Sequence, residues 1–155
     1  MPVQHLKDFL DEHQVKYVVI SHSRAFTTQE VASLTHIPGR ELAKTVIVDI
    51  DGEMAMAVLP GSQKVDLSLL RDALGAERVT LVKEAAFRGR FPDCDPGAMP
   101  PFGNLYGMPV YVADSLTEDE EIAFNAGSHT ELVRMAYRDF ERLVQPRLMR
   151  FAVNA

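Results

Sequence analysis

One lysine sits inside an otherwise apolar run, Leu42-Ala43-Lys44-Thr45-Val46-Ile47-Val48. If residues 41–50 form a strand, Leu42, Lys44, Val46, Val48 and Ile50 share one face and Ala43, Thr45, Ile47 and Asp49 the other. An ammonium on an apolar face costs several kcal/mol to desolvate unless it meets water or an anion. Lys44 therefore stands either at the mouth of a cleft or at a strand end, where its methylenes carry the charge to solvent. Two glycine-bearing segments offer complementary chemistry. Gly97-Ala98-Met99-Pro100-Pro101-Phe102-Gly103 lies in a breaker-rich loop over residues 92–107, stiffened by proline, with Gly97 and Gly103 permitting close backbone approach. Phe124-Asn125-Ala126-Gly127-Ser128-His129 ends a predicted strand, where turn amides can cradle an anion or an oxyanion. His129 there is either a donor or general base near neutral pH or a cap on an exposed turn.

The other titratable residues point to no protein-borne nucleophile. Cys94 lies between Asp93 and Asp95, whose charges raise a thiol pKa and disfavour the thiolate. His5, His13, His22 and His36 lack ligand spacing, so neither a metal nor a cofactor is expected. Arg40, Lys44, Lys64, Arg134 and Arg138 either gather around one pocket or are scattered solvated charges. Met54, Met56, Met99, Met108 and Met135 suit an apolar pocket or core filling. A net charge of −6 argues against a broad basic face for DNA or any nonspecific nucleic-acid grip. It leaves room for a local site that holds one end of an RNA.

These residues need a scaffold, and the sequence sketches one. Val3, Leu6, Phe9 and Leu10 recur at helical spacing over residues 3–13. Residues 17–20 read as a buried strand, and Thr27 to Glu30 as a capping box opening a helix that runs to about His36. Asp51-Gly52 is a type I′ hairpin signal that pairs the Lys44 strand with residues 54–59. A helix over 66–74 with a Gly75 stop, a strand over 79–82 and a short helix over 83–88 follow. Beyond the long loop come strands over 108–113, 120–125 and 132–136, a helix over 137–144 and a last element over 148–153. Asp114, which follows the first of those strands, is read as a cap on the connection to Ser115 and Thr117. This alternation predicts an α+β fold: a mixed, mostly antiparallel central sheet covered by helices.

At 155 residues the chain fits one domain, 1–155, able to bury a core without staples. One cysteine forms no internal disulfide, and no leader or long apolar run is visible, so a cytoplasmic protein without membrane attachment is expected.

The succession of Ala43-Lys44-Thr45, a GxxxP loop from Gly97 to Pro101 followed by Phe102-Gly103, and Phe124 to His129 resembles the YbaK-like aminoacyl-tRNA deacylases. That family includes the editing domain inserted in bacterial prolyl-tRNA synthetases and its free-standing relatives. The likeness runs over nearly the whole chain. It implies trans-editing: hydrolysis of the ester joining a wrongly attached amino acid to the 3′ end of a tRNA, here a tRNA for proline carrying alanine or cysteine. It further implies that Lys44 holds the terminal nucleotide, that residues 97–101 shape the pocket, and that residues 127–129 border the amino acid. Water attack would be assisted by a ribose hydroxyl of the substrate. On this likeness Lys44, Gly127 and His129 are the expected catalytic residues. Gly97, Pro101, Phe102, Gly103 and Ser128 are the expected substrate contacts. The acceptor end of an aminoacyl-tRNA is the expected partner of a monomer, with a synthetase as a further one. A noncatalytic module for a tRNA end or nucleotide, and a hydrolase of small esters unrelated to tRNA, are the alternatives.

Overall fold

The hairpin at Asp51-Gly52 frames the structure, a computed structural model that describes residues 3–155. Both turn residues take positive φ, +50° and +96°, as a type I′ turn requires, and Gly52 N–H donates to the Asp49 carboxylate at 2.8 Å. The turn joins β2 (Ala43–Ile50) to β3 (Glu53–Pro60), in register from Ile50↔Glu53 to Ala43↔Pro60. On one side β2 pairs antiparallel with β5 (Val79–Leu81). On the other, β3 pairs in parallel with β6 (Val110–Ala113), and β6 with β9 (Arg147–Met149). The result is a five-stranded mixed sheet in the order β5-β2-β3-β6-β9.

A second, antiparallel sheet has the order β1-β8-β7, from β1 (Tyr17–Ser21), β7 (Glu121–Asn125) and β8 (Glu131–Ala136). A short ribbon pairs β4 (Gln63–Val65) with β10 (Ala152–Asn154). The helices are α1 (Gln4–Glu12), α2 (Thr28–Thr35), α3 (Leu67–Leu74), α4 (Glu84–Phe87) and α5 (Tyr137–Val144). Among the described residues no helix is long and apolar enough to cross a membrane. The α+β class is as expected, but the strands divide between two main sheets. The β7–β8 pair meets the larger sheet through the isolated Leu42–Ala123 bridge.

Both faces of β2 are covered, which is why its sequence is apolar nearly throughout. Ala43 and Ile47 enter the main core with Leu6 and Leu10 of α1 and the ring cluster of Phe102, Phe124 and Phe140. Val48 packs on the opposite side with Leu59, Leu70 and Phe151. Local signals set the helix ends. Thr27 accepts Glu30 N–H at 3.1 Å, Asp66 accepts Leu69 N–H at 3.0 Å, and α3 ends in left-handed Gly75.

Three expectations are corrected. Residues 39–41 form a 3₁₀ turn, so the Lys44 strand begins at Ala43 rather than residue 41. β1 is an edge strand paired only with β8 among the described residues, and Val18 and Val19 are exposed rather than buried. The last element divides into β9 and β10, which join different partners, and β10 takes up the unforeseen β4.

One consequence of the hairpin positions the site. In a two-residue turn the closing pair, Ile50↔Glu53, is hydrogen-bonded. Even-numbered residues of β2 therefore exchange main-chain bonds with β3, and odd-numbered ones face the opposite edge. There the Ile47 carbonyl accepts Val82 N–H at 3.1 Å. β5 itself pairs only with residues 48–50. The peptide groups of Thr45 thus face an edge that β5 does not reach.

Candidate active site

A pocket of about 200 Å³ opens along that edge. β2 supplies Ala43, Lys44 and Thr45. The start of α2 and the loop before it supply Phe26 and Thr28; the 92–107 loop supplies Gly97 and Met99, and the end of β7 supplies Asn125. Lys44 is half-buried and has no ion pair or hydrogen bond among the described residues; burial pulls its pKa below the usual lysine value. It is the only cation in the lining among the described residues. Arg40 and Arg134 pair with Glu41, and Arg134 also reaches Glu121 at 3.6 Å; Lys64 and Arg138 are exposed elsewhere. The expected cation cluster is therefore one ammonium. Of the five methionines only Met99 lines the pocket, and Met56, Met108 and Met135 are core.

Gly97 is exposed, with φ +83°, a conformation that strains any residue with a side chain. In its loop Ala98 N–H donates to the Asp95 carbonyl at 3.0 Å, while the N–H groups of Gly97 and Met99 are unengaged among the described residues. Within this loop these two amides are left without a protein acceptor among the described residues.

The remaining expected site residues stand behind the pocket rather than in its lining. Gly127 N–H is committed to the Ala98 carbonyl at 2.9 Å, and its own carbonyl accepts Asp95 N–H at 2.7 Å. Gly127 thus staples its turn to the 92–107 loop and has no amide left for a substrate. His129 is 7% exposed, and its Nε2 lies 2.8 Å from the Pro96 carbonyl. A carbonyl only accepts, so Nε2 carries the proton and donates. The His129 carbonyl also accepts Ala25 N–H at 3.1 Å, and its ring packs on Phe26 with centroids 4.8 Å apart. His129 thereby ties three pocket-forming loops together. Ser128 Oγ lies 3.2 Å from Thr130 Oγ1, a local turn contact. Pro101 is buried, and Phe102 has no exposed surface because it sits among Phe9, Phe124 and Phe140. A side chain at Gly103 would overlap the Met108 carbonyl, so this glycine serves packing.

Cys94 lies 3.4 Å from the Tyr106 hydroxyl, and its thiol pKa is raised, chiefly by burial; the flanking aspartates add less. Phe26, at the lip, was not foreseen. It is 64% exposed, with the Arg24 guanidinium 5.3 Å from its ring centroid. The one available signal was a lone aromatic in a polar connection.

Comparison with known proteins bears on the same segments. The family described as the aminoacyl-tRNA editing domain matches residues 22–143. The chain is 29% identical over 158 residues to the Multifunctional Ser/Thr-tRNA deacylase ProXp-y of Escherichia coli (strain K12), covering 98% of this chain and 93% of that protein. It is 24% identical over 142 residues to the Prolyl-tRNA editing protein ProX of Acetoanaerobium sticklandii, covering 88% and 86%. The solved structure of hypothetical protein APE2540 superposes with a TM-score of 0.87 at 16% identity, over 97% of this chain and 100% of that one, a likeness of fold. The matched family segment contains every wall of the pocket described above: the chain belongs to the aminoacyl-tRNA editing domain family.

Proposed function

We propose that this protein is a trans-editing deacylase that hydrolyses the ester joining a wrongly attached small amino acid to the 3′ end of a tRNA. The observation that carries the reading is one half-buried ammonium, Lys44, unpaired among the described residues, in a small pocket also lined by Gly97 and Met99, whose amides likewise have no protein acceptor there. Lys44 anchors a phosphate or ribose oxygen of the terminal nucleotide. The exposed ring of Phe26 offers its base a stacking surface, a contact worth about 1–3 kcal/mol. The Thr45 carbonyl accepts a hydrogen bond from the substrate α-ammonium, and Asn125 supplies a neutral polar contact.

An aminoacyl ester is already reactive, so orientation and oxyanion stabilisation suffice. Water oxygen bonds to the ester carbonyl carbon while a substrate ribose hydroxyl orients it. The Gly97 and Met99 amides receive the developing oxyanion, each worth about 2–4 kcal/mol. The ester C–O bond then breaks, and the leaving ribose oxygen takes up the proton released by water. His129 holds the loop that presents these amides, because its Nε2 proton is already given to Pro96. The name of one relative supports seryl and threonyl esters, and the family likeness adds alanyl- and cysteinyl-tRNA for proline, so these four form the proposed set. Pocket volume rejects larger residues, because each added methylene shifts binding by only about 1–3 kcal/mol.

The test is incubation of the purified protein with a panel of mischarged tRNAs. Turnover that falls about 100-fold or more in Lys44→Ala supports the reading. Binding without turnover points instead to a noncatalytic tRNA-end module, and hydrolysis of free aminoacyl esters without action on tRNA to a small-ester hydrolase.

A further inference from the structure

Gly61 is buried on the turn between β3 and β4. It lies outside the left-handed region, so its backbone conformation does not call for glycine. Space does. A Cβ here would overlap the Thr28 Cγ2 methyl and would stand 3.2 Å from Thr28 Cβ and 3.3 Å from the Leu42 carbonyl oxygen. That carbonyl already accepts Gly61 N–H at 2.7 Å. Thr28 and Leu42 both line the pocket, and Gly61 does not. Gly61 is thus the joint behind the wall, where the first turn of α2 is drawn against the entry to β2. Thr28, β-branched and within a helix, has few rotamers through which to escape.

We infer that Gly61 is a positioning residue that sets the width of the aminoacyl pocket through the methyl of Thr28. The inference rests on the deacylase reading for its functional readout. An added methyl at position 61 drives the Thr28 methyl and the first turn of α2 into the cavity. The penalty therefore grows with the size of the aminoacyl side chain. Removing the Thr28 methyl relieves it, because serine keeps the hydroxyl and lacks Cγ2.

The experiment compares wild type, Gly61→Ala, Thr28→Ser and the double variant. It measures kcat/KM on alanyl-, seryl- and threonyl-tRNA and the ¹³C-methyl resonances of Val31 and Met99, both in the pocket lining. Gly61→Ala lowers kcat/KM about tenfold or more on threonyl-tRNA and less than about threefold on alanyl-tRNA. The double variant returns to within about threefold of wild type on all three. Both methyl resonances move in Gly61→Ala and return in the double variant. Thr28→Ser alone shifts preference the other way, toward the threonyl ester. Equal losses on the three esters, losses that Thr28→Ser leaves unrelieved, or unmoved methyl signals in a folded Gly61→Ala protein overturn the inference. Should Gly61→Ala not fold, unchanged selectivity in Thr28→Ser overturns it equally. Should wild type deacylate none of the alanyl, cysteinyl, seryl and threonyl esters, the deacylase reading fails, and the methyl spectra alone decide the role of Gly61.

Discussion

Lys44 carries its charge in a half-buried setting without a partner among the described residues, so it weakens the fold. Its folded-state pKa lies below the unfolded value because burial disfavours the charged form. The penalty is complete where lysine is protonated in both states and fades as pH rises from the lowered value toward that of the unfolded chain. Unliganded protein therefore gains stability at alkaline pH through this group. Lys44→Met is expected to raise urea-measured stability near pH 7, by no more than about 0.5–1 kcal/mol once solvent screening is allowed for, while abolishing deacylation. A stability loss in Lys44→Met would mean that the ammonium is satisfied after all. At His129 the Pro96 bond separates two roles. His129→Gln, which keeps an N–H donor, should hold deacylation within about tenfold of wild type, and His129→Ala should lose about 2 kcal/mol of stability along with most activity. A general base would lose comparable activity in both variants.

At the scale of elements, the glycine turns act by holding loops together. Gly127 has φ +104°, and a Cβ there would stand 3.0 Å from Val3 Cβ. Gly127→Ala should cost about 1–3 kcal/mol in thermal or urea unfolding, with activity per folded molecule lost less than in Lys44→Ala. The 3₁₀ turn at Asp114–Glu118 leads into a second titratable spot. Asp119 Oδ2 is buried with no hydrogen-bond partner among the described residues, and burial, then Glu41, pushes its pKa up to about 6. The folded protein thus holds this proton more tightly than the unfolded chain. Stability from this group is present in acid and lost as pH rises from about 4 to 6. Asp119→Asn should raise the unfolding free energy at pH 7.5 by about 0.5–1 kcal/mol once solvent screening is allowed for, read in urea unfolding, and make no difference below about pH 4.

Elements with local causes were legible from sequence: the Asp51-Gly52 turn, the Thr27 cap and the Gly75 stop each satisfy a backbone need within a few residues. The β4–β10 ribbon and the division into two sheets were not, because they depend on pairing between distant segments. The apolar Tyr-Val-Val-Ile run of β1 likewise says nothing of whether a second strand will cover its edge.

For the molecule as a whole, a net charge of −6 with one cation lining the pocket limits how electrostatics can assist tRNA. With one or two phosphates neutralised, the logarithm of kcat/KM should fall against the logarithm of salt concentration with a slope of about −1. A slope several times steeper would require a basic face elsewhere. The site was half legible for a similar reason. Lys44 and Gly97 stand out by residue type, whereas Phe26, Thr28 and Gly61 acquire their places only when α2, β2 and the β3–β4 turn meet. The Gly127 amide is engaged within the protein, which sequence does not reveal because it does not show which loop amides fold back onto neighbouring carbonyls. Where β5 stops short along β2, the main-chain edge at Thr45 borders the cavity beside side chains such as Val31, Leu42 and Leu132. No point mutation deletes that stretch of main chain, so substitutions among the neighbouring side chains can reshape the cavity while its backbone edge stays in place.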